Sequence, residues 1–289
     1  YVCFMYVPTV TARRWGMTPI ATAALTGLLA SLFYAPYDIV GAKFLWWTWH
    51  DTDKPIAARL FGAPCSSSLW VMTFSASFAW LLAKTLPIRA ESTAAIDGGS
   101  ASRVVPATIA KALGAVTAFS TALMMVQMTA LQQLDGGTPG YIALGTTAVL
   151  YGVAGWRGRS TAQSGSAERG PWIHADQVLT RAIVVYFIVL AAIMAVFDPA
   201  SHVSTGVHQP PGKCYVEAKD ITGLTRHEFL CVTDFAEDYT FDCTTPPASA
   251  AEWYTICGKP HGNFAGWLGA VGGLGLLGTL AFGRLRRAP

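Results

Sequence analysis

Long apolar runs recur along this chain, and the segments between them alternate in charge. Few folds tolerate both. The runs cover about residues 19–37, 66–83, 108–130, 140–156, 180–197 and 264–282. Each approaches the roughly 20 residues that span a bilayer as a helix. The intervening segments sort into two alternating sets. One set, with the carboxyl-terminal Arg284, Arg286 and Arg287, holds 13 basic and 4 acidic residues; the other holds 7 basic and 13 acidic. The two sets therefore carry +9 and −6, which account for the net +3. Lys and Arg are retained on the cytoplasmic side of membranes, so this split predicts a polytopic membrane protein with a defined orientation.

Composition agrees. Only 13% of the 289 residues are charged and the mean hydropathy is +0.39, whereas soluble domains carry about 25% charged residues. The first ten residues are also apolar and read as the end of a further helix. The expected fold is an all-α, polytopic transmembrane helical bundle of about seven spans, the first one partial. Its amino terminus lies outside and its carboxyl terminus inside. Residues 1–197 form the bundle, 198–263 a cysteine-rich exoplasmic loop, and 264–289 the last transmembrane helix with a basic cytoplasmic tail.

Cysteine placement supports this orientation. Cys3, Cys65, Cys214, Cys231, Cys243 and Cys257 all fall on the acidic side or at its membrane edge. That pattern reads as disulfides in an oxidising, luminal or extracellular compartment. The 198–263 segment is too small to rest on an apolar core alone, and two disulfides would each add roughly 2–4 kcal/mol. Three pairings of Cys214, Cys231, Cys243 and Cys257 remain open, and Cys3 with Cys65 is a candidate third bridge. No CxxC pair occurs and the histidines show no finger-like register, so no metal or cofactor is expected.

One stretch has the density of a chemical site. Asp38, Lys43, His50, Asp51 and Asp53 gather within 16 residues, beside Trp46, Trp47 and Trp49. Tryptophans mark a membrane interface, and ionisable groups there need partners. Asp38 and Lys43 are expected to pair with each other or with His50. His50, Asp51, Asp53 and Asp38 are candidate acid–base residues, since a histidine beside carboxylates titrates near neutrality. Trp46, Trp47, Trp49 and Lys43 are candidate ligand-binding residues. An aromatic belt with a solvated turn, or a carboxylate metal site, are the competing readings.

The stretch from Tyr37 to Trp70, YDIVGAKFLWWTWHDTDKPIAARLFGAPCSSSLW, resembles an uncharacterised eukaryotic family of multi-pass membrane proteins. The later segment GVHQPPGKC, with Arg226, His227 and Cys231, fits that family too. More remotely, the rhythm of Asp38, Trp47-x-Trp49, Phe-Gly-x-Pro64 and a distal Trp resembles the carotenoid-biosynthesis hydratase-like membrane proteins, over about a ninth of the chain. That resemblance implies a polyprenoid or other lipid as ligand, with Asp38, Trp47, Trp49 and Pro64 as matching positions.

Three functions follow as expectations. The first is a protein that binds or modifies a lipidic, polyprenoid-like ligand at the exoplasmic interface. Whether it is an enzyme is left open. The second is a non-catalytic accessory subunit of a larger membrane complex, docking through the 198–263 loop or through the Gly-rich helix 264–282, where Gly269 and Gly273 form a GxxxG pair. The third is a transporter, disfavoured because no internal repeat is visible and Gln127 is the strongly polar residue deepest in a span. No phosphate loop, GxSxG elbow, HExxH or basic aromatic patch occurs, so nucleic acid is not an expected partner. Membrane lipids are.

Overall fold

The computed structural model describes residues 2–13, 15–49, 54–85, 106–133, 140–160, 173–207, 211–219, 221, 223, 225–231, 233, 237–241, 243 and 253–286. The chain is mostly helical. A π-helical turn, Val2–Tyr6, leads into α1 (Val7–Arg13). Then come α2 (Pro19–Lys43), α3 (Lys54–Ala57), α4 (Cys65–Thr85), α5 (Pro106–Gln133), α6 (Gly140–Ser160), α7 (Ile173–Val196) and α8 (Phe264–Arg286). Five of these, α2, α4, α5, α7 and α8, are long and apolar enough to cross a membrane. Every apolar run read from the sequence lies on a helix.

The helix α2 is the hub. Thr18 caps it, its hydroxyl accepting from Ala21 N, and Pro19 opens it where no N–H is needed. It packs on α1, α4, α6, α7 and α8. Small residues allow this. A Cβ added at Gly27 would lie 2.5 Å from the Met72 carbonyl oxygen of α4, so the two backbones touch there. In lipid, where apolar burial gives little drive, such close approach supplies the packing energy. Two apolar clusters flank the hub. One holds Ile39, Val40, Leu190, Met194, Trp267 and Val271; the other holds Val7, Leu29, Phe33, Ile183, Phe187 and Phe282. By contrast α5 rests chiefly on α4 and exposes Phe119, Met125 and Val126. Gln127, the polar residue inside this helix, reaches Tyr151 on α6.

The segment from 198 to 263 departs from an all-α description. It carries short strands: β3 (Val203–Val207), β4 (Pro211–Gly212), β5 (Glu217–Lys219), β6 (Thr225–His227), β7 (Leu230–Cys231), β8 (Tyr239–Thr240) and β9 (Trp253–Gly258). The order β3-β9-β8 makes an antiparallel sheet. Its strands VSTGV and WYTICG are rich in β-branched and aromatic residues, which favour extended chain over helix. Two disulfides, Cys214–Cys231 and Cys243–Cys257, staple this cap. Of the three pairings left open, the structure takes the sequential one. Cys3 and Cys65 do not form the third bridge. Both are half-buried free thiols.

Candidate functional site

The site begins where α2 ends. Leu45 takes a left-handed conformation, φ 56°, and Trp46 N donates to Gly41 O at 2.8 Å while Leu45 N donates to Ala42 O at 3.5 Å. This is a Schellman stop with leucine where glycine is usual. The left-handed backbone costs a non-glycine residue about 1–2 kcal/mol. The side chain offsets it, because Leu45 is buried against Leu230, Tyr239 and Ile256 of the cap. The stop turns the following tryptophans back over α2. The Trp47 indole lies flat on Gly41, where any Cβ would collide with it. Its Nε1 donates to Asp38 Oδ1 at 2.8 Å.

Trp47 and Trp49 form one wall of a cavity of about 1030 Å³. Cys3, Phe4 and Met5 of the π-helical turn, Tyr34 and Tyr37 of α2, and Tyr186 of α7 complete that side. Opposite stand Ser67, Trp70, Val71, Phe74, Ser75 and Phe78, which share one face of α4 by their three- and four-residue spacing, and Thr117, Thr121 and Met124 of α5. Phe4, Tyr34, Tyr37 and Trp47 meet in a chain of edge-to-face and tilted contacts, with centroids 5.1 Å apart for Phe4–Tyr34, 5.8 Å for Tyr34–Tyr37 and 5.1 Å for Tyr37–Trp47. Trp70, Thr117 and Thr121 are exposed at the rim, so the cavity reaches the side of the bundle. Asp38 itself is fully buried behind this wall. The side chains of Ser67 and Tyr34 keep it company, yet its Oδ2 makes no well-formed hydrogen bond.

Lys43 faces elsewhere. Five residues from Asp38 is about 140° around a helix, so the two cannot meet as the sequence reading supposed. Lys43 is fully buried, and its Nζ donates to Asp238 Oδ1 at 3.5 Å and to Pro260 O at 3.3 Å. It also lies 4.6 Å from the Trp267 ring centre. It binds the cap, not the cavity. Trp46 is 44% exposed and meets Tyr37 at a tilt and Trp47 edge to face; it is not among the described cavity-lining residues. His50, Asp51 and Asp53 lie outside the described residues.

A second contact completes the cap's docking. Strands β1 (Arg59–Leu60) and β2 (Ala63–Pro64) form a hairpin whose two-residue turn, Phe61 and Gly62, has φ of 47° and 78°. From it Arg59 reaches Glu237 in a bidentate pair, Nη1 to Oε2 at 2.5 Å and Nη2 to Oε1 at 2.7 Å. Glu237 is buried. Arg59 Nη1 also donates to Trp49 O at 3.2 Å, and the Tyr239 hydroxyl donates to the same carbonyl at 3.3 Å. The cap thus holds the backbone of a cavity-wall residue. Sequence reasoning missed Arg59, Glu237 and Asp238, which nothing local links. Tyr34 and Tyr37, three apart before Asp38, carried a helical-face signal that went unused.

Residues 1–281 match the family described as a domain of unknown function, DUF7802, and the chain belongs to it. No curated protein and no solved structure matches the chain.

Proposed function

We propose that this DUF7802 member is an integral membrane protein that binds a lipidic ligand in the aromatic cavity beside Asp38. The cavity carries this reading. Its volume lies at the upper end of the roughly 300–1,000 Å³ typical of small-molecule pockets. It has apolar walls with a few placed polar groups, and it opens at the side of a bundle whose helices are membrane-like. The likeness of residues 37–70 to carotenoid-biosynthesis hydratase-like proteins supports an extended, polyprenoid-like molecule. In this reading α1, α6 and the five longer apolar helices make seven spans. The cap lies in a luminal or extracellular compartment and the basic segments face the cytoplasm. Asp38, Trp47 and Trp49 belong to the site. Lys43 belongs to the scaffold that orients it, and His50, Asp51 and Asp53, outside the described residues, are kept as the proposed acid–base groups.

Lipid extraction tests the reading. Protein purified in detergent and analysed by mass spectrometry is expected to carry a discrete lipid near equimolar amounts. Val71→Trp pushes an indole into the cavity from α4 and should reduce the bound lipid while the protein remains folded. Recovery of bulk membrane lipids alone, equal in both proteins, would overturn the reading.

One observation favours the accessory-subunit alternative. On α8, Gly275 and Gly278 pack against Phe187, but Gly269, Gly272 and Gly273 meet nothing within contact distance among the described residues. Such a strip admits a second helix. A stoichiometric partner lost on Gly273→Leu, with the cavity empty of lipid, would favour that reading.

A further inference from the structure

Most polar side chains that line the cavity turn their hydrogens away from it. The Trp47 indole donates to Asp38 Oδ1 at 2.8 Å, and the Ser67 and Tyr34 hydroxyls lie against the same buried carboxyl. The Tyr186 hydroxyl donates to Phe33 O at 3.1 Å, and the Thr121 hydroxyl donates to Thr117 O at 3.0 Å. Trp49 Nε1 and Ser75 Oγ have almost no accessible surface, so neither is offered to the interior. Trp70 and Thr117 stand exposed at the rim. Among the described lining residues that leaves the weakly donating Cys3 thiol and the Tyr37 hydroxyl. The rest of the interior is carbon. Nine of the seventeen lining residues are Phe, Tyr or Trp, and none is charged.

We propose that Asp38 is a positioning residue that keeps this wall free of hydrogen-bonding groups, and that the cavity holds a plain hydrocarbon chain, bare of polar substituents along its length. The inference rests on the lipid-binding reading above and adds the ligand class and the residue that sets it. Asp38 touches no ligand. It sits behind the wall and draws in donors from three places: Tyr34 of α2, Trp47 of the turn that follows, and Ser67 of α4. A buried carboxyl needs such donors, and each of these side chains has one polar hydrogen to give. A hydroxyl carried into the cavity on a ligand chain would therefore be desolvated with little to replace its water. A saturated or unsaturated hydrocarbon loses nothing on entry. A quaternary ammonium is the rival that aromatic walls suggest, but no carboxylate faces the cavity to balance its charge, since Asp38 turns its oxygens to the wall.

The test uses the full chain in phosphatidylcholine nanodiscs and three probes on one skeleton: stearyl alcohol, the same alcohol with a second hydroxyl at mid-chain, and stearyltrimethylammonium. A terminal hydroxyl can stay at the rim, whereas a mid-chain one enters with the chain. Tryptophan fluorescence reads saturation against the mole fraction of probe. Stearyl alcohol is expected to saturate the site at a fraction about tenfold lower than the diol, the effect of one buried hydroxyl left without a partner. Asp38→Leu releases the three wall donors and should bring that ratio several-fold closer to one. Asp38→Asn still accepts from Trp47 and should keep most of it. The ratio is read on one protein, so a loss of folded material leaves it unmoved. If Asp38→Leu does not fold, Val71→Thr decides, since it keeps the shape of the wall and adds one hydroxyl to the cavity lining. Its ratio should also fall. A wild-type chain that takes the diol as well as the alcohol, or the ammonium best of all, overturns the hydrocarbon inference and leaves the cavity reading standing. An unchanged ratio in folded Asp38→Leu, or in Val71→Thr where that variant decides, overturns it too. Saturation by none of the three removes both readings.

Discussion

Lys43 and Asp38 lie five residues apart on one helix and both are fully buried, yet their surroundings differ. Lys43 finds a carboxylate, a carbonyl and an indole face, all supplied by the cap and by α8. Asp38 accepts from Trp47 Nε1 and has the Ser67 and Tyr34 side chains against it, while its Oδ2 makes no well-formed bond. The first arrangement is complete and holds two parts of the molecule together. The second is incomplete and adjoins a cavity. Buried charge is expensive either way. Where the protein supplies every partner the group ties parts of the fold together, and where its partners come from a cavity wall the group shapes that wall. The Arg59–Glu237 pair belongs with Lys43, as a closed latch under the cap.

The strongest way to break that comparison is at the latch. Glu237→Ala leaves Arg59 largely buried without its partner, and removing one half of such a pair costs about 3–5 kcal/mol. A lower melting temperature and faster proteolysis within the cap are expected. Ligand occupancy should fall as well, because Arg59 also holds the Trp49 carbonyl. A variant as stable as the wild type would show that the pair is wet and that docking rests on apolar contacts.

Next in size is the staple. Cys243 and Cys257 are separated by 14 residues, and closing a loop of that length stabilises a fold by about 3 kcal/mol. Replacing both by Ser should expose β9 to hydrogen exchange and leave the helical circular-dichroism signal unchanged. Loss of helix on that change would mean that the cap and bundle do not unfold separately.

The comparison itself is sharpened by a matched pair of substitutions. Lys43→Met strips Asp238 and Pro260 of their donor, and unmade hydrogen bonds of this kind cost about 1–3 kcal/mol. Asp38→Asn keeps the Trp47 bond and should change stability by no more than about 1 kcal/mol. Chemical denaturation of the two variants side by side gives the answer. If Asp38→Asn is the more damaging change, the carboxylate is part of the scaffold.

The smallest expected effect is one of pH. His261 sits outside the spans among the rings of Phe44, Phe264 and Trp267. Burial first, and then the nearby Lys43, hold its pKa below the usual imidazole value, while Asp198 and Asp238 pull it back. The unfolded cap therefore binds more protons than the docked one as pH drops below about 6.5, and docking weakens there. Above that value its contribution is constant. Protection factors of β8 and β9 amides, exchange rates divided into the intrinsic rate at each pH, should be lower at pH 5.5 than at pH 7.5, and His261→Gln should flatten the difference. Identical protection factors at both values in the wild type would count against the assignment.

Residues 34–49 show how far the sequence could be read. The crowding of Asp38 and the tryptophans was visible; Trp47 and Trp49 line a cavity, and Asp38 is buried behind Trp47, which donates to it. The expectation that Asp38 pairs with Lys43 failed on helical geometry, which separates side chains five apart. The role of Lys43 was hidden because its partners lie 195 and 217 residues away. Strands in the cap were also illegible: β4, β7 and β8 are two residues long and owe their existence to disulfides and to docking, not to any periodicity.

By itself the sequence located the long apolar helices, from which about seven spans were expected and of which five are long and apolar enough to cross a membrane, and it marked the cysteine-rich segment as disulfide-bonded. These follow from local composition, because a bilayer leaves helix as the way to satisfy a backbone within one segment. Tertiary structure alone decided which cysteines pair, which buried charge is satisfied, and that Trp47 and Trp49 wall a cavity with residues of the first turn, α2, α4, α5 and α7. Each of those depends on contacts between segments far apart in the chain, and partner distance is not encoded in any local pattern.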